Sequence, residues 1–561
     1  MKDLKELTLK AVLERSNKLF GHRTAFSWVK GDPHTYKDVY EKVNEIKIFL
    51  HNNGIITGDR VAILAENSPN WGIAYLAITT MGAVVVPILP DFHENEVRHI
   101  LRHSGTKAIF VSEKLYGKLP ESKSNRMRIL IDDFSIIPPE TTKEKLNSIL
   151  NSGSHEFAKL KESALKFTGF VSQQVRENDT AAIIYTSGTT GRSKGVMLTH
   201  KNLVFNILDT LNIQNLDEHD RLISILPLPH TYECTIGFLL PFSCGASIFY
   251  LDKPPVARVL LPAMAKIKPT MMLTVPLIME KIFKTKIQPT FTQKKLLNVL
   301  YKIPFFRILL HKAAARKLYK SFGGKLHFFG IGGALLAPDV ERFMRDAKFP
   351  YAIGYGLTET SPLIAGCSPS VTRYRSTGTV LPGLEVKIEK PNPKTGEGEI
   401  LVKGPSVMKG YYKDPERTKE VLSDDGWFHT GDLGILTKDN YLYIKGRSKN
   451  VIIGPSGENI YPESIEAIIS ENEFVLESIV YSHEKKIIAR IYLNYEMIDE
   501  IHGTSQHESK MEKIINKLLN DIKRETNSQL SQFSRISQVI EQTEPFEKTP
   551  TKKIKRYLYT N

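Results

Sequence analysis

Between residues 58 and 112, apolar and polar positions follow two rhythms in turn. Arg60–Leu64 (RVAIL), residues 83–88 (AVVVPI) and residues 108–112 (AIFVS) are short continuous apolar runs, which predict buried strands. The stretch after Trp71 reads as an apolar helix, and residues 94–104 set Val97, Ile100 and Leu101 at helical spacing. Such alternation predicts a parallel sheet covered by helices, an α/β fold class. Residues 118–178 are more polar and less periodic, and read as connecting structure. A second α/β region is expected from Ala181 to about residue 380. Beyond it the pattern changes: residues 398–404 (GEILVKG) and 436–446, with Lys438-Asp439-Asn440 as a turn, predict antiparallel strands. After Gly446 the chain reads as a smaller α+β unit, with Pro462 placed to open a helix. The boundary is set at Lys449. That gives a large N-terminal domain over 1–448, with α/β subdomains and a β-rich one, and a small C-terminal domain over 449–561.

Composition supports more than one domain, because 561 residues exceed what a single core accommodates. Apolar residues at 41% and charged residues at 24% exclude a disordered chain. The net charge of +15 and pI near 9.3 point to an anionic partner: nucleotide phosphates, a membrane surface, an acidic protein or nucleic acid. Three scattered cysteines, Cys234, Cys244 and Cys367, form no CxxC pair and argue against a disulfide framework or a cysteine zinc site. The N-terminus MKDLKELTLKAVLER lacks the apolar core of a signal peptide. The longest uncharged run, 235–251, is short and interrupted by Gly237, Pro241 and Gly245, unlike a membrane span. The expectation is a soluble protein of a reducing compartment, the cytoplasm.

Charge is concentrated in one place. Residues 281–325 carry twelve Lys or Arg and no Asp or Glu, with Leu, Ile and Phe among the cations. The pattern suits a solvated basic face, or an amphipathic surface helix that meets a membrane or an acidic partner.

Four motifs carry chemistry. The first is Tyr185-Thr-Ser-Gly-Thr-Thr-Gly-Arg-Ser-Lys-Gly195, directly after an apolar strand and ahead of a segment that Thr199 can cap as a helix. Its glycines allow backbone N–H groups to approach phosphate oxygens, its hydroxyls add donors and Lys194 adds charge. It is not a Walker A loop, since Ser193 stands where the second glycine should, and the GxGxxG candidate at Gly330 fails at Leu335. The second is Gly354-Tyr-Gly-Leu-Thr-Glu-Thr-Ser-Pro362. Here Tyr355 can stack on a flat base, Thr358 can donate to a phosphate and Glu359 can hold Mg²⁺. The third, Gly426-Trp-Phe-His-Thr-Gly-Asp432 followed by Gly446-Arg447, presents a carboxylate suited to two adjacent ribose hydroxyls. The fourth, Lys548-Thr-Pro-Thr-Lys-Lys-Ile-Lys-Arg556, offers a lysine that can be brought to a reacting phosphate.

In this order, the four resemble the adenylate-forming superfamily of acyl-CoA synthetases, carrier-protein adenylation domains and luciferases, from about residue 20 to the end. YTSGTTGRSKGV is the most specific match, with YGLTE, GWFHTGD and GRSKNVIIGPSGENIYPESIE behind it. The resemblance implies that Thr186, Ser187, Gly188, Thr189, Thr190 and Lys194 embrace the β- and γ-phosphates of ATP. Gly332, Gly333 and Ala334 would line the adenine pocket, with Tyr355, Gly356 and Leu357 beside the base. Thr358 would touch the α-phosphate, Glu359 would position Mg²⁺, and Asp432 would bind the ribose, supported by Arg447. Lys449 falls at the hinge of a mobile small domain. The catalytic lysine aligns with Lys553, although Lys552 stands where members of the family carry glycine.

The implied reaction is adenylation of a carboxylate, then thioester formation. Residues 226–233 (LPLPHTYE) and the apolar run after them resemble the acyl pocket of fatty acyl-CoA synthetases, with His230 at its mouth. GWFHTGD and the basic insertion are typical of medium- to long-chain enzymes, and such substrates partition into membranes. CoA is the expected acceptor; acyl carrier protein, which is acidic, is the alternative. A binding or scaffold protein with a degenerate nucleotide site is opposed by intact Lys194, Glu359, Asp432 and Lys553. Nucleic-acid binding is opposed by the absence of any groove-reading motif.

Overall fold

The computed structural model describes residues 4–120, 126–138, 143, 174–186, 193–454, 458–484, 486–502, 508–549 and 553–560. Two large sheets organise the N-terminal part. At the centre of the first, five parallel strands run in the order Thr180–Thr186, Val84–Pro87, Arg60–Leu64, Ala108–Val111 and Met127–Leu130. Antiparallel strands extend it at both sides: Lys194–Thr199 and Gly410–Tyr411 on one, Ile136–Ile137 on the other. The second sheet runs Tyr351–Ile353, Phe328–Ile331, Met271–Thr274, Arg221–Ser224, Ser247–Tyr250 and Thr24–Trp28 in parallel, closed by antiparallel His34–Thr35.

One core joins residues of both sheets through the helix Pro69–Thr80, in which every residue except Asn70 is buried. Ser68 caps its first turn and Pro69 takes the first helical position, where a missing N–H costs nothing. A helix apolar on all sides belongs inside a protein, and here it separates two sheets.

The predicted strands at 60–64, 83–88 and 108–112 and the helix Glu94–Ser104 form, the latter ending at Gly105 in the left-handed region (φ 64°). Three expectations change. The polar stretch 118–178 contributes two strands at one side of the first sheet, Met127–Leu130 and Ile136–Ile137; residues 144–173 lie outside the described residues. The two α/β regions are not consecutive, because Thr24–Trp28 joins the second sheet and Thr180–Thr186 the first. Parallel pairing is decided by distant partners, Phe26 with Ile248 and Val85 with Ala182, which local pattern does not disclose. The basic stretch is not one amphipathic helix: Pro304 starts a second, Pro304–Ser321, after Lys295–Tyr301.

Beyond residue 380, Glu385–Glu389, Gly398–Lys403, Phe428–Leu436 and Leu442–Arg447 form an antiparallel sheet, with Asn440 in the left-handed region at the expected turn. In the C-terminal lobe, Val475–His483, Lys486–Leu493 and Gln538–Gln542 make a three-stranded sheet with its own core. The helix Pro462–Ile469 opens on its proline.

Candidate active site

A cleft of about 1810 Å³ collects residues from every motif: Thr186 and Lys194, Gly332 and Gly333, Tyr355 to Glu359, Arg447, Lys449 and Lys553. It exceeds the usual range for one small ligand and has room for a nucleotide with a second substrate.

The first motif turns between two strands, not from strand to helix. Lys194–Thr199 pairs antiparallel with Thr180–Thr186, Thr186 opposite Lys194, and the helix His200–Thr210 begins only after Thr199 caps it. The reason is local: Val196 and Leu198 sit on a pleated ladder, and the Thr199 capping box delays the helix. The segment that follows the loop is therefore a strand, not a helix end. Ser187, Gly188, Thr189 and Thr190 lie outside the described residues. At the loop's entrance the Thr186 hydroxyl is buried without a partner, a donor that a phosphate oxygen would satisfy.

Lys194 Nζ donates to Glu359 Oε1 at 2.8 Å and to the Tyr411 hydroxyl at 2.6 Å, and Tyr411 in turn donates to Glu359 Oε1 at 2.9 Å. Burial pushes the Glu359 carboxyl up, but Lys194 and Tyr411 outweigh it and hold the pKa below the usual value, so Glu359 is anionic. Its two side-chain partners both meet Oε1, so a cation would be met by Oε2. One hard oxygen alongside substrate phosphates suits Mg²⁺, and the residues fit that ion. Tyr411 escapes any motif reading. Its only signal is strand pairing: Tyr411 lies opposite Val196 at the sheet edge, two residues from Lys194.

Asp432 forms the second polar centre. Tyr355 donates to its Oδ2 at 2.7 Å and Arg447 Nε pairs with its Oδ1 at 2.7 Å. Burial raises the Asp432 pKa, while Arg447 and Tyr355 oppose that rise. Gly431, at φ 68°, allows the turn that aims Asp432 inward, where a side chain would strain the backbone. Gly356 is required sterically, since a Cβ there would lie 1.9 Å from the Pro362 carbonyl oxygen. Thr358 and Glu359 share a short 3₁₀ turn, so a hydroxyl and a carboxylate are neighbours in the chain there. Gly332 and Gly333 line the cleft, whereas Ala334, expected beside them, is exposed on the next turn and outside the wall.

Lys553 lines the cleft and stays solvent-accessible there. Burial and Arg447 lower its pKa, and Asp432 and Glu359 counter them. Its backbone is tied to Thr549, whose N–H donates to the Lys553 carbonyl at 2.7 Å. Lys552 lies outside the described residues. His230 lines the same cleft; burial, then Lys553, lowers its pKa to about 4, leaving the imidazole neutral. Its Nδ1 accepts from the Tyr232 N–H at 3.2 Å. Lys449 occupies the 3₁₀ turn Ser448–Asn450 between the lobes.

The profile of AMP-binding enzymes matches residues 13–412, and that of the AMP-binding enzyme C-terminal domain matches 449–560. The chain is 28% identical to a chloroplastic long-chain-fatty-acid–[acyl-carrier-protein] ligase of Arabidopsis thaliana, over 84% of this chain and 74% of that protein. It is 31% identical to the peroxisomal long chain acyl-CoA synthetase 6 of the same plant, over 83% and 69%. In fold it resembles ATP-bound MatB from Rhodopseudomonas palustris, with a TM-score of 0.73 at 24% identity over 99% and 98% of the two chains.

Proposed function

Because this chain belongs to the AMP-binding enzyme family, we propose that it activates a medium- to long-chain fatty acid with ATP and transfers the acyl group to CoA. The carrying observation is that Lys194, Glu359, Tyr411, Tyr355, Arg447 and Lys553 line one cleft, with Asp432 buried behind Tyr355 and Arg447 and bonded to both.

Thr186, Lys194 and the loop 187–190 hold the β- and γ-phosphates, Thr358 the α-phosphate, and Asp432 the two ribose hydroxyls, with Arg447 opposing the rise in its pKa that burial causes. Gly332, Gly333, Tyr355, Gly356 and Leu357 enclose the base. Mg²⁺, held by Glu359 with the phosphates, supplies positive charge against the triphosphate. A fatty acid oxygen attacks the α-phosphorus as the bond to the pyrophosphate oxygen breaks, and Lys553 offsets the charge that develops there. His230, neutral at any pH well above 4, sits by the carboxylate without adding charge. The CoA thiol then loses its proton to water, its sulfur bonds the acyl carbon, and AMP departs with the carboxylate oxygen. Between the steps the small lobe, 449–561, turns about Lys449. The reading requires pyrophosphate release from ATP to depend on a fatty acid; release indifferent to fatty acid contradicts it.

The enzyme works in the cytoplasm, at an anionic membrane surface. Among the described residues no helix is long and apolar enough to cross a membrane. The helices Lys295–Tyr301 and Pro304–Ser321 instead expose Leu296 (74%), Val299 (62%) and Phe305 (66%), with the exposed cations Lys294, Lys295 and Lys302 in the same segment. Apolar side chains beside cations, with no acidic residue between 281 and 325, complement an anionic lipid surface and hold the enzyme where its substrate dissolves. Changing the exposed Lys294, Lys295 and Lys302 to Gln is expected to weaken binding to vesicles of anionic phospholipid by about tenfold or more, at about 1 kcal/mol per cation. Sedimentation with vesicles measures this, and undiminished binding contradicts the docking surface.

A further inference from the structure

A polar contact away from the cleft also joins the two lobes. Lys284 lies in the π-helical turn Phe283–Ile287, and its Nζ donates at 2.8 Å to the carbonyl of Val475, the first residue of the small-lobe strand Val475–His483. Lys284 is only 5% exposed and is not part of the cleft wall. Burial lowers its pKa, opposed by the surrounding carboxyls of Asp339, Glu280 and Glu471. Glu280 Oε1 accepts from the Ala337 N–H at 2.9 Å, and Asp339 Oδ2 is buried without a partner. Glu471 comes from the small lobe, and two residues further on Glu473 Oε2 accepts from Thr292 Oγ1 at 3.0 Å. Residues 280–292 of the large lobe thus grip residues 471–475 of the small one.

An ammonium has three protons to donate, and Lys284 commits one to a carbonyl on a different lobe. Any rotation of the small lobe removes that acceptor and leaves the charge to water and to Asp339 and Glu280. The contact therefore distinguishes one arrangement of the lobes from another. In the arrangement it favours, Lys553 is in the cleft with Glu359, and within electrostatic reach of Asp432.

We propose that Lys284 is a positioning residue for the first half-reaction: it latches the small lobe through Val475 with Lys553 in the cleft, and releases it for acyl transfer. This rests on the two-step reaction proposed for the cleft. A latch predicts opposite effects on the two half-reactions, which a merely structural residue would not give.

Lys284→Met keeps a long apolar side chain and removes the donor. Fatty-acid-dependent ATP–pyrophosphate exchange should fall about tenfold, the scale of one charged hydrogen bond, with thioester formation from supplied acyl-adenylate equal to or faster than that of the unsubstituted chain. Unchanged exchange, or equal loss in both half-reactions, overturns the latch. A second experiment stands even where this variant folds poorly. Thr292→Cys with Glu473→Cys, joined by a short cleavable thiol crosslinker, should retain exchange and lose transfer to CoA until the linker is cleaved. Cys234, Cys244 and Cys367 are buried and should not compete for the linker. Transfer at the unlinked rate overturns the latch. No fatty-acid-dependent exchange by the unsubstituted chain overturns the functional reading instead.

Discussion

Lys553→Ala is expected to lower fatty-acid-dependent ATP–pyrophosphate exchange by about a hundred- to a thousand-fold, the loss typical of one preorganised charge or donor at a transition state. The reason is electrostatic. In the proposed first half-reaction negative charge accumulates on the oxygens around the α-phosphorus, and Lys553 is one of the cations that the small lobe brings to the cleft, the one assigned to that charge. The second half-reaction separates this role from general damage. Thioester formation from supplied acyl-adenylate does not use Lys553 and should stay within about threefold of the unsubstituted chain. Equal loss of both activities would remove Lys553 from the adenylation step.

The second large effect should fall on the opposite half-reaction. Lys449→Pro is expected to slow thioester formation by about ten- to a hundredfold while sparing exchange. Lys449 lies in the 3₁₀ turn Ser448–Asn450, and the φ typical of a 3₁₀ turn is close to the value near −65° that a proline ring imposes. The substitution thus suits the arrangement with Lys553 in the cleft and denies the hinge another. The ring also crowds Ser448, so some loss of stability is expected; a melting curve separates that from the kinetic effect. Unchanged turnover would move the hinge elsewhere.

The chemistry is legible in the sequence where it resides in short, contiguous motifs. Thr358 and Glu359 share a turn, and Asp432 and Arg447 face each other across one antiparallel pair, so local order discloses their company. The illegible parts depend on distant pairing. Tyr411 reaches Lys194 only because a two-residue strand joins the sheet edge, and Lys284 meets Val475 across 191 residues. The interleaved sheets have the same origin: Thr24–Trp28 reads as an ordinary strand and gives no hint that its partner is Ser247–Tyr250. The first motif suggests strand-to-helix because a glycine-rich loop before a cap looks like a helix end. The six-residue strand between them accords with the alternation in Val196 and Leu198.

The basic insertion shows the opposite limit. Its charge is plain from composition, yet prolines and turns divide it into several short helical pieces, and its first part, 281–292, contacts the small lobe. One run of cations thus carries a buried interlobe contact at Lys284 and an exposed apolar surface at Leu296 and Phe305.

The central claim is fatty acid adenylation followed by transfer to CoA. It is tested most directly by pyrophosphate release from ATP and Mg²⁺ with fatty acids of two to eighteen carbons, with and without CoA. The account predicts steady release that requires CoA and is strongest with chains of twelve to eighteen carbons. A single-turnover burst relieved by acyl carrier protein and not by CoA would contradict the acceptor, and release independent of any fatty acid would contradict the reaction itself.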